Sequence, residues 1–128
     1  MARRRSINFP GFSHQNPIPN ASRIGNIVMS SVIGPSNPGT RNIPPTLEEQ
    51  VKNLFIHLRA AIEAAGGTPD DILKIDFWAK DQAAGRAALN AEWETMFPDP
   101  GARPARHTQA LPADSRAQIQ CAFTAVIG

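Results

Sequence analysis

Cysteine is almost missing from this chain, which carries one thiol, Cys121, in 128 residues. A lone thiol closes no internal bridge, so a disulfide scaffold is excluded, and its place in an apolar run marks a buried side chain in a reducing compartment rather than a redox centre. Long hydrophobic runs are missing as well. No stretch approaches the ~20 apolar residues of a membrane span. The terminal Arg3, Arg4 and Arg5 lead into Ser6 to His14 without the continuous apolar core of a secretion signal. The expectation is a cytoplasmic protein with no membrane partner.

A strong charge imbalance is also absent. The formal net charge is +2, much of it held by the three terminal arginines, so the body of the chain is nearly neutral. Those arginines have neither interleaved aromatics nor a basic helix behind them, which argues for a solvated tail and against a nucleic-acid partner. His57 has no second histidine or carboxylate at metal-ligand spacing, so no metal site is expected. What remains is the composition of one ordinary globular domain over residues 1–128, long enough to enclose a core.

The order of elements follows from local signals. Residues 1–23 hold Pro10, Pro17 and Pro19 among Gly, Asn and Ser, the pattern of an irregular lead-in with at most a short strand at Ile7 to Phe9. Ile24 to Ile33 is rich in β-branched residues and stops at Gly34-Pro35, so it reads as one strand. Thr46 and Glu49 form a capping box, and Leu47, Val51, Leu54, Phe55, Leu58, Ile62 and Ala65 recur at three- and four-residue steps up to Gly66-Gly67. This spacing predicts a helix, with His57 at the margin of its apolar face. Asp71 to Lys80 alternates, with Leu73, Ile75, Phe77 and Ala79 on the covered side. Asp81 caps a second helix, Gln82 to Phe97, weakened at Gly85 and closed by Pro98 and Pro100. Two strands, about Arg106 to Leu111 and Ala117 to Ile127, complete an α+β layer in which both helices cover one face of a mixed sheet. The uncovered face is too apolar to be wholly solvated, which suggests subunit association.

The chemistry concentrates near the C-terminus. Arg106 offers a permanently charged planar fork suited to a carboxylate, and by strand alternation it shares a side with Thr108. If the last two strands belong to one sheet, Arg106, Thr108 and Gln118 line one pocket. The competing reading pairs Arg106 with a structural acid such as Asp76, Glu92 or Glu94 across a subunit interface. The glutamines of Gln118-Ile119-Gln120 orient a ligand or a water but take up no proton at neutral pH.

From Ile24 onward the chain resembles the Rid proteins, reactive intermediate/imine deaminases that also carry the older labels endoribonuclease and translation inhibitor. The resemblance rests on Gly25-Asn26 opening a strand that ends in Ser30-Ser31, on Glu49-Gln50 with Asn53, and on Glu63-Ala64-Ala65-Gly66. It continues through Asp70-Asp71-Ile72-Leu73-Lys74, Asn90 with Phe97, Pro104-Ala105-Arg106 and Leu111-Pro112, in that order and spacing. It implies a chorismate-mutase-like fold, a homotrimer whose sheets form a central barrel, and ligand sites in the clefts between subunits. It further implies that Arg106 holds the carboxylate of a small 2-amino or 2-imino acid, with Asn90 and the backbone of Ser31, Val32 and Ile33 beside it, and that no cofactor takes part.

In the deaminating members a glutamate on the last strand activates the hydrolytic water, and here that position aligns with Gln118. Thr108 stands where they have a cysteine, Val32 where they have a glycine, and the lead-in tyrosine is replaced within Asn16-Pro17-Ile18-Pro19. The chain has no tyrosine at all. A missing general base removes ~10²- to 10⁴-fold in rate, which leaves His14 and His107 as groups of suitable proton affinity, and alternation turns His107 away from Arg106. The expectation is an enamine/imine hydrolase using Arg106 as anchor, with Gln118, Thr108 and His14 at the chemistry. The alternative is a non-catalytic trimer that binds a small carboxylate-bearing metabolite. An endoribonuclease role has little support from the nearly neutral body.

Overall fold

The computed structural model describes residues 3–128. Six strands form one sheet in the order β1-β2-β3-β6-β4-β5, where β1 is Arg5–Ile7, β2 Ala21–Ile24, β3 Ile27–Ser30, β4 Ile72–Ala79, β5 Ala105–Ala110 and β6 Ile119–Val126. Neighbours run antiparallel except β4 and β5, which are parallel and joined through the second helix. This is the expected α+β layer.

The N-terminal half of the sheet departs from the sequence reading. Ile24 to Ile33 is not a single strand, because Gly25, at φ 56°, and Asn26 form a two-residue turn that folds β2 back along β3. Half of the resulting hairpin lies in the segment expected to be irregular, as does β1, which pairs with β2. Strand β3 ends at Ser30, and Ile33 rejoins the sheet only through an isolated bridge to Cys121.

Helix α1, Leu47–Ala64, begins at its predicted cap, where the Thr46 side chain accepts from the Glu49 N–H at 3.2 Å and donates to the Glu49 carboxylate at 2.8 Å. It ends before Gly66, whose φ of 96° suits glycine. Helix α2, Gln82–Met96, starts at Asp81, which accepts from the Ala84 N–H. Gly85 is more than a weak point in it. A Cβ there would lie 2.7 Å from the Ala79 Cβ, so glycine is what lets α2 approach β4 closely.

Both helices cover the same face of the sheet: Phe77 of β4 stacks on Phe55 of α1 and meets the edge of Trp93 of α2. Leu54, Leu58, Ile62, Ile75, Leu89, Ile119 and Phe123 fill the core between these layers, and Cys121 lies among them. Burial pushes the Cys121 thiol far above its ordinary proton affinity, as suits an inert core side chain. Each fully buried Leu or Ile contributes about 1.5–3 kcal/mol by leaving water.

Two further expectations need correction. A bulge between Ile72 and Lys74 breaks the alternation of β4 and turns Leu73 out, 61% exposed, while Ile75, Phe77 and Ala79 remain buried as expected. His57 is not marginal but fully buried, because Phe9 and Phe12 of the lead-in fold over it. The face of the sheet opposite the helices stays open and carries the exposed Ile27, Met29 and Val126 beside Thr124.

Candidate functional site

Arg106 lies on β5 opposite Ile75 of β4, and Thr108 lies opposite Phe77, so both side chains project to the helix-covered side of the sheet at its edge. There the Arg106 guanidinium sits 5.1 Å from the centre of the Trp93 ring. Its Nη2 donates to Asn90 Oδ1 at 3.1 Å and, more weakly, to the Arg86 carbonyl at 3.4 Å. Two turns of α2 therefore orient the group. No carboxylate pairs with it among the described residues, where the ion pair formed is Lys74 with Asp76 at 3.3 Å. Burial first, and repulsion from Arg86 second, lower its proton affinity from the ordinary arginine value. Such a cation welcomes an anion, and its Nε and Nη1 hydrogens are free to bind one.

Gln118 does not join Arg106 within the chain. Arg106 is level with Phe123, since both pair with Ile75, and Gln118, just before β6, lies five residues back, roughly 17 Å along the strand direction at strand rise. The Gln118 amide nitrogen donates to the Pro45 carbonyl at 3.1 Å, and its backbone N–H donates to Gln50 Oε1 at 2.8 Å. Gln50 in turn donates to Pro44, so this glutamine pair ties β6 to the loop before α1.

His14 does line a cavity, of about 450 Å³, and the C-terminal glutamine that lines it too is Gln120 rather than Gln118. The His14 ring stands edge-on to Phe12 at 5.2 Å, and its buried Nε2 has no hydrogen-bond partner. Burial, with the charge of Arg41 second, lowers its proton affinity, so the imidazole is neutral at physiological pH and able to accept a proton. Arg41, Ser115 and Arg116 line the same cavity. Sequence reasoning missed Gln120, Arg41 and Arg116 as site residues. Alternation does place Gln120 on the open face, but nothing local says that residue 14 will line the same cavity.

Of the backbone donors at residues 31–33, two are already engaged. The Ser31 N–H donates to the Asn20 carbonyl at 2.9 Å and the Ile33 N–H to the Cys121 carbonyl at 2.6 Å, while the Ser31 hydroxyl donates to the Pro19 carbonyl. The Val32 N–H is the donor of this trio with no internal acceptor among the described residues. His57 is held in the core, donating from Nε2 to the Ser36 carbonyl at 2.8 Å under two phenylalanine rings, while its buried Nδ1 has no partner among the described residues. Among the described residues no three His, Cys, Asp or Glu side chains converge to cage a metal, and no helix is long and apolar enough to cross a membrane.

Two candidate regions therefore stand out, Arg106 with Asn90 and Thr108 at the edge of the sheet and a polar cleft lined by His14 and Gln120. The family model described as Endoribonuclease L-PSP matches residues 13–126, which takes in both. A RutC family protein of Haemophilus influenzae is 34% identical over 109 residues, covering 81% of this chain and 83% of that protein. The 2-iminobutanoate/2-iminopropanoate deaminase of Escherichia coli K12 is 32% identical over 101 residues, or 76% and 78% of the two chains. Among solved structures, the YjgF gene product of E. coli superposes with a TM-score of 0.83 at 26% identity, over 95% of this chain and 98% of that one. RidA from the Antarctic bacterium Psychrobacter sp. superposes with a TM-score of 0.86 at 22% identity, over 96% and 99%. Family model, sequence relatives and fold agree with the resemblance read from the sequence: the chain belongs to the endoribonuclease L-PSP, or Rid, family.

Proposed function

We propose that the protein is a homotrimer that binds a small carboxylate-bearing imine or enamine at clefts between subunits and hydrolyses it to a keto acid and ammonia. The observation that carries the binding reading is Arg106 itself, held on Trp93 and Asn90 with no acid paired to it among the described residues. The placement of the two regions supports the assembly: Arg106 projects to the helix-covered side of the sheet and Gln120 lies on the open face, so in this reading Arg106 of one protomer meets the His14 and Gln120 cleft of a neighbour. The exposed Ile27, Met29 and Val126 on the open sheet face supply apolar surface for that contact. The similarity to the E. coli deaminase supports the substrate class.

In this reading Arg106 fixes the carboxylate and thereby the neighbouring C=N carbon. Water adds to that carbon while neutral His14 takes its proton, and the imine nitrogen is protonated in exchange. The carbinolamine then expels ammonia as the C–N bond breaks and the C=O bond forms, leaving the keto acid. Thr108 and Gln120 orient the water and the nitrogen, and Val32 supplies one backbone donor. Gln118 shapes the cleft from behind rather than acting on substrate. General-base assistance of this kind contributes ~10²- to 10⁴-fold in rate, which is what His14 supplies in this reading.

A second reading, binding without turnover, draws on a specific feature: the lining of the His14 cleft includes no Asp or Glu. Coupled assays of ammonia and keto acid, with 2-iminopropanoate generated in place, separate the two. Catalysis predicts release above the spontaneous rate, dependent on His14 and falling only as pH drops below the ordinary imidazole range. No release above background, with Arg106-dependent carboxylate binding retained, establishes the second reading. Loss of both discards the site.

A further inference from the structure

The walls of the His14 cleft hold more positive charge than one carboxylate requires. Its cavity of about 450 Å³ adjoins another of about 770 Å³, and Ile43 and Arg116 line both. Around these adjoining cavities stand Arg41, Lys80 and Arg116, all exposed, with His14, Gln118 and Gln120 among the other lining residues. The residues lining either cavity include no Asp or Glu, in a chain whose 13 basic side chains are nearly balanced by 11 acidic ones. None of the three cations makes an ion pair among the described residues. The proximity of Arg41 is felt by His14, whose proton affinity it lowers. Like charges gathered without counterions repel one another and are stabilised when an anion enters, more strongly inside a hollow than on open surface.

We propose that this hollow binds a second anionic group, so that the ligand is a small dicarboxylic imino or keto acid. One carboxylate lies on Arg106 of one subunit and the other between Arg41 and Arg116 of its neighbour. The first half of this assignment rests on the function proposed above; the second rests on the acid-free basic hollow alone. Two planar forks on flexible, exposed stems suit a carboxylate at the end of a short chain, and Lys80 at the far side widens the range of chain lengths tolerated.

The test is isothermal titration calorimetry of the full chain with 2-oxobutanoate, glutarate and 2-oxoglutarate, on wild type, Arg106→Ala and the pair Arg41→Gln with Arg116→Gln. Exposed substitutions of this kind leave the fold intact, which the melting temperature checks. A dicarboxylate is expected to bind about tenfold or more tighter than 2-oxobutanoate, and the double variant to bring that ratio close to one. Equal affinities in wild type, or a preference that survives the double variant, overturn the proposal. Inorganic phosphate binding tighter than either dicarboxylate overturns it too. If 2-oxobutanoate binding depends on Arg106 but dicarboxylates gain nothing, the Arg106 site stands and this second site falls. If the dicarboxylate preference follows Arg41 and Arg116 while Arg106 is indifferent, the second site stands and the Arg106 anchor falls.

Discussion

Replacing Arg106 tests the binding site most directly, because the structure separates the contacts that hold the side chain from those it offers. Of five guanidinium hydrogens, two are directed to Asn90 and the Arg86 carbonyl, which leaves the Nε and Nη1 hydrogens for a ligand. A hydrogen bond between charged partners is worth about 1.5–3 kcal/mol, and the low end applies at a half-buried sheet edge, so two such bonds give roughly 3 kcal/mol. Arg106→Ala should therefore weaken 2-oxobutanoate binding by about 10²-fold. Arg106→Lys keeps the charge but loses the fork and the flat contact with Trp93, and should lose about half of that free energy, roughly tenfold in affinity. Asn90→Ala leaves the ligand contacts in place and removes the orienting one, so a loss of less than about tenfold is expected. Calorimetric titration of the three variants measures the series, with melting temperature as control, since the cation–π contact contributes only about 0.5–1 kcal/mol to stability. Lysine matching wild type would show that the site reads charge alone and refute the fork argument. Alanine matching wild type would remove Arg106 from the site.

Two other predictions follow from the positions of glutamine and histidine. Gln120→Glu places a carboxylate in the His14 cleft and should raise imine hydrolysis by about 10²-fold or more, whereas Gln118→Glu, beside the Pro45 carbonyl, should not; the reverse order in an ammonia-release assay would return the site to Gln118. His57 is buried as the neutral ring, its Nε2 hydrogen on Ser36 and its Nδ1 unpartnered, and burial holds its proton affinity below the ordinary value despite an opposing effect of the Ser36 contact. Below about pH 6.5 the unfolded chain takes up a proton that the folded one resists, so stability should fall toward pH 5 by at most about 1.4 kcal/mol per pH unit from this group. Urea unfolding of wild type and His57→Gln should show a shallower pH slope in the variant, and parallel slopes would exclude His57 as the source.

The parts legible in the sequence are those that depend on neighbours a few residues away. Helix α1 is bounded by Thr46 and Gly66, both of which act within one turn, and its apolar period points Leu54, Leu58 and Ile62 inward wherever the sheet lies. Strand alternation likewise sends Ile119, Cys121, Phe123 and Ala125 to the helices and Gln120 to the open face. Failure begins where one residue breaks a period. Gly25 reverses a β-branched run that otherwise looks continuous, and the bulge at Leu73 puts an apolar side chain outside in a pattern that calls it core. Failure is complete where two distant segments must meet. Phe9 and Phe12 bury His57, and the same lead-in carries His14 into the cavity that Gln120 lines, yet neither segment has a period that announces its destination. The choice between Gln118 and Gln120 turns on this. Both are glutamines two apart in the sequence, and only the path of the lead-in puts one of them in a cavity that a histidine also lines and leaves the other braced against Pro45. The proposed site is thus specified by residue type near the C-terminus and by chain path near the N-terminus, so transplanting residues 118–126 alone into a relative should carry both glutamines without the histidine that lines the cavity of Gln120.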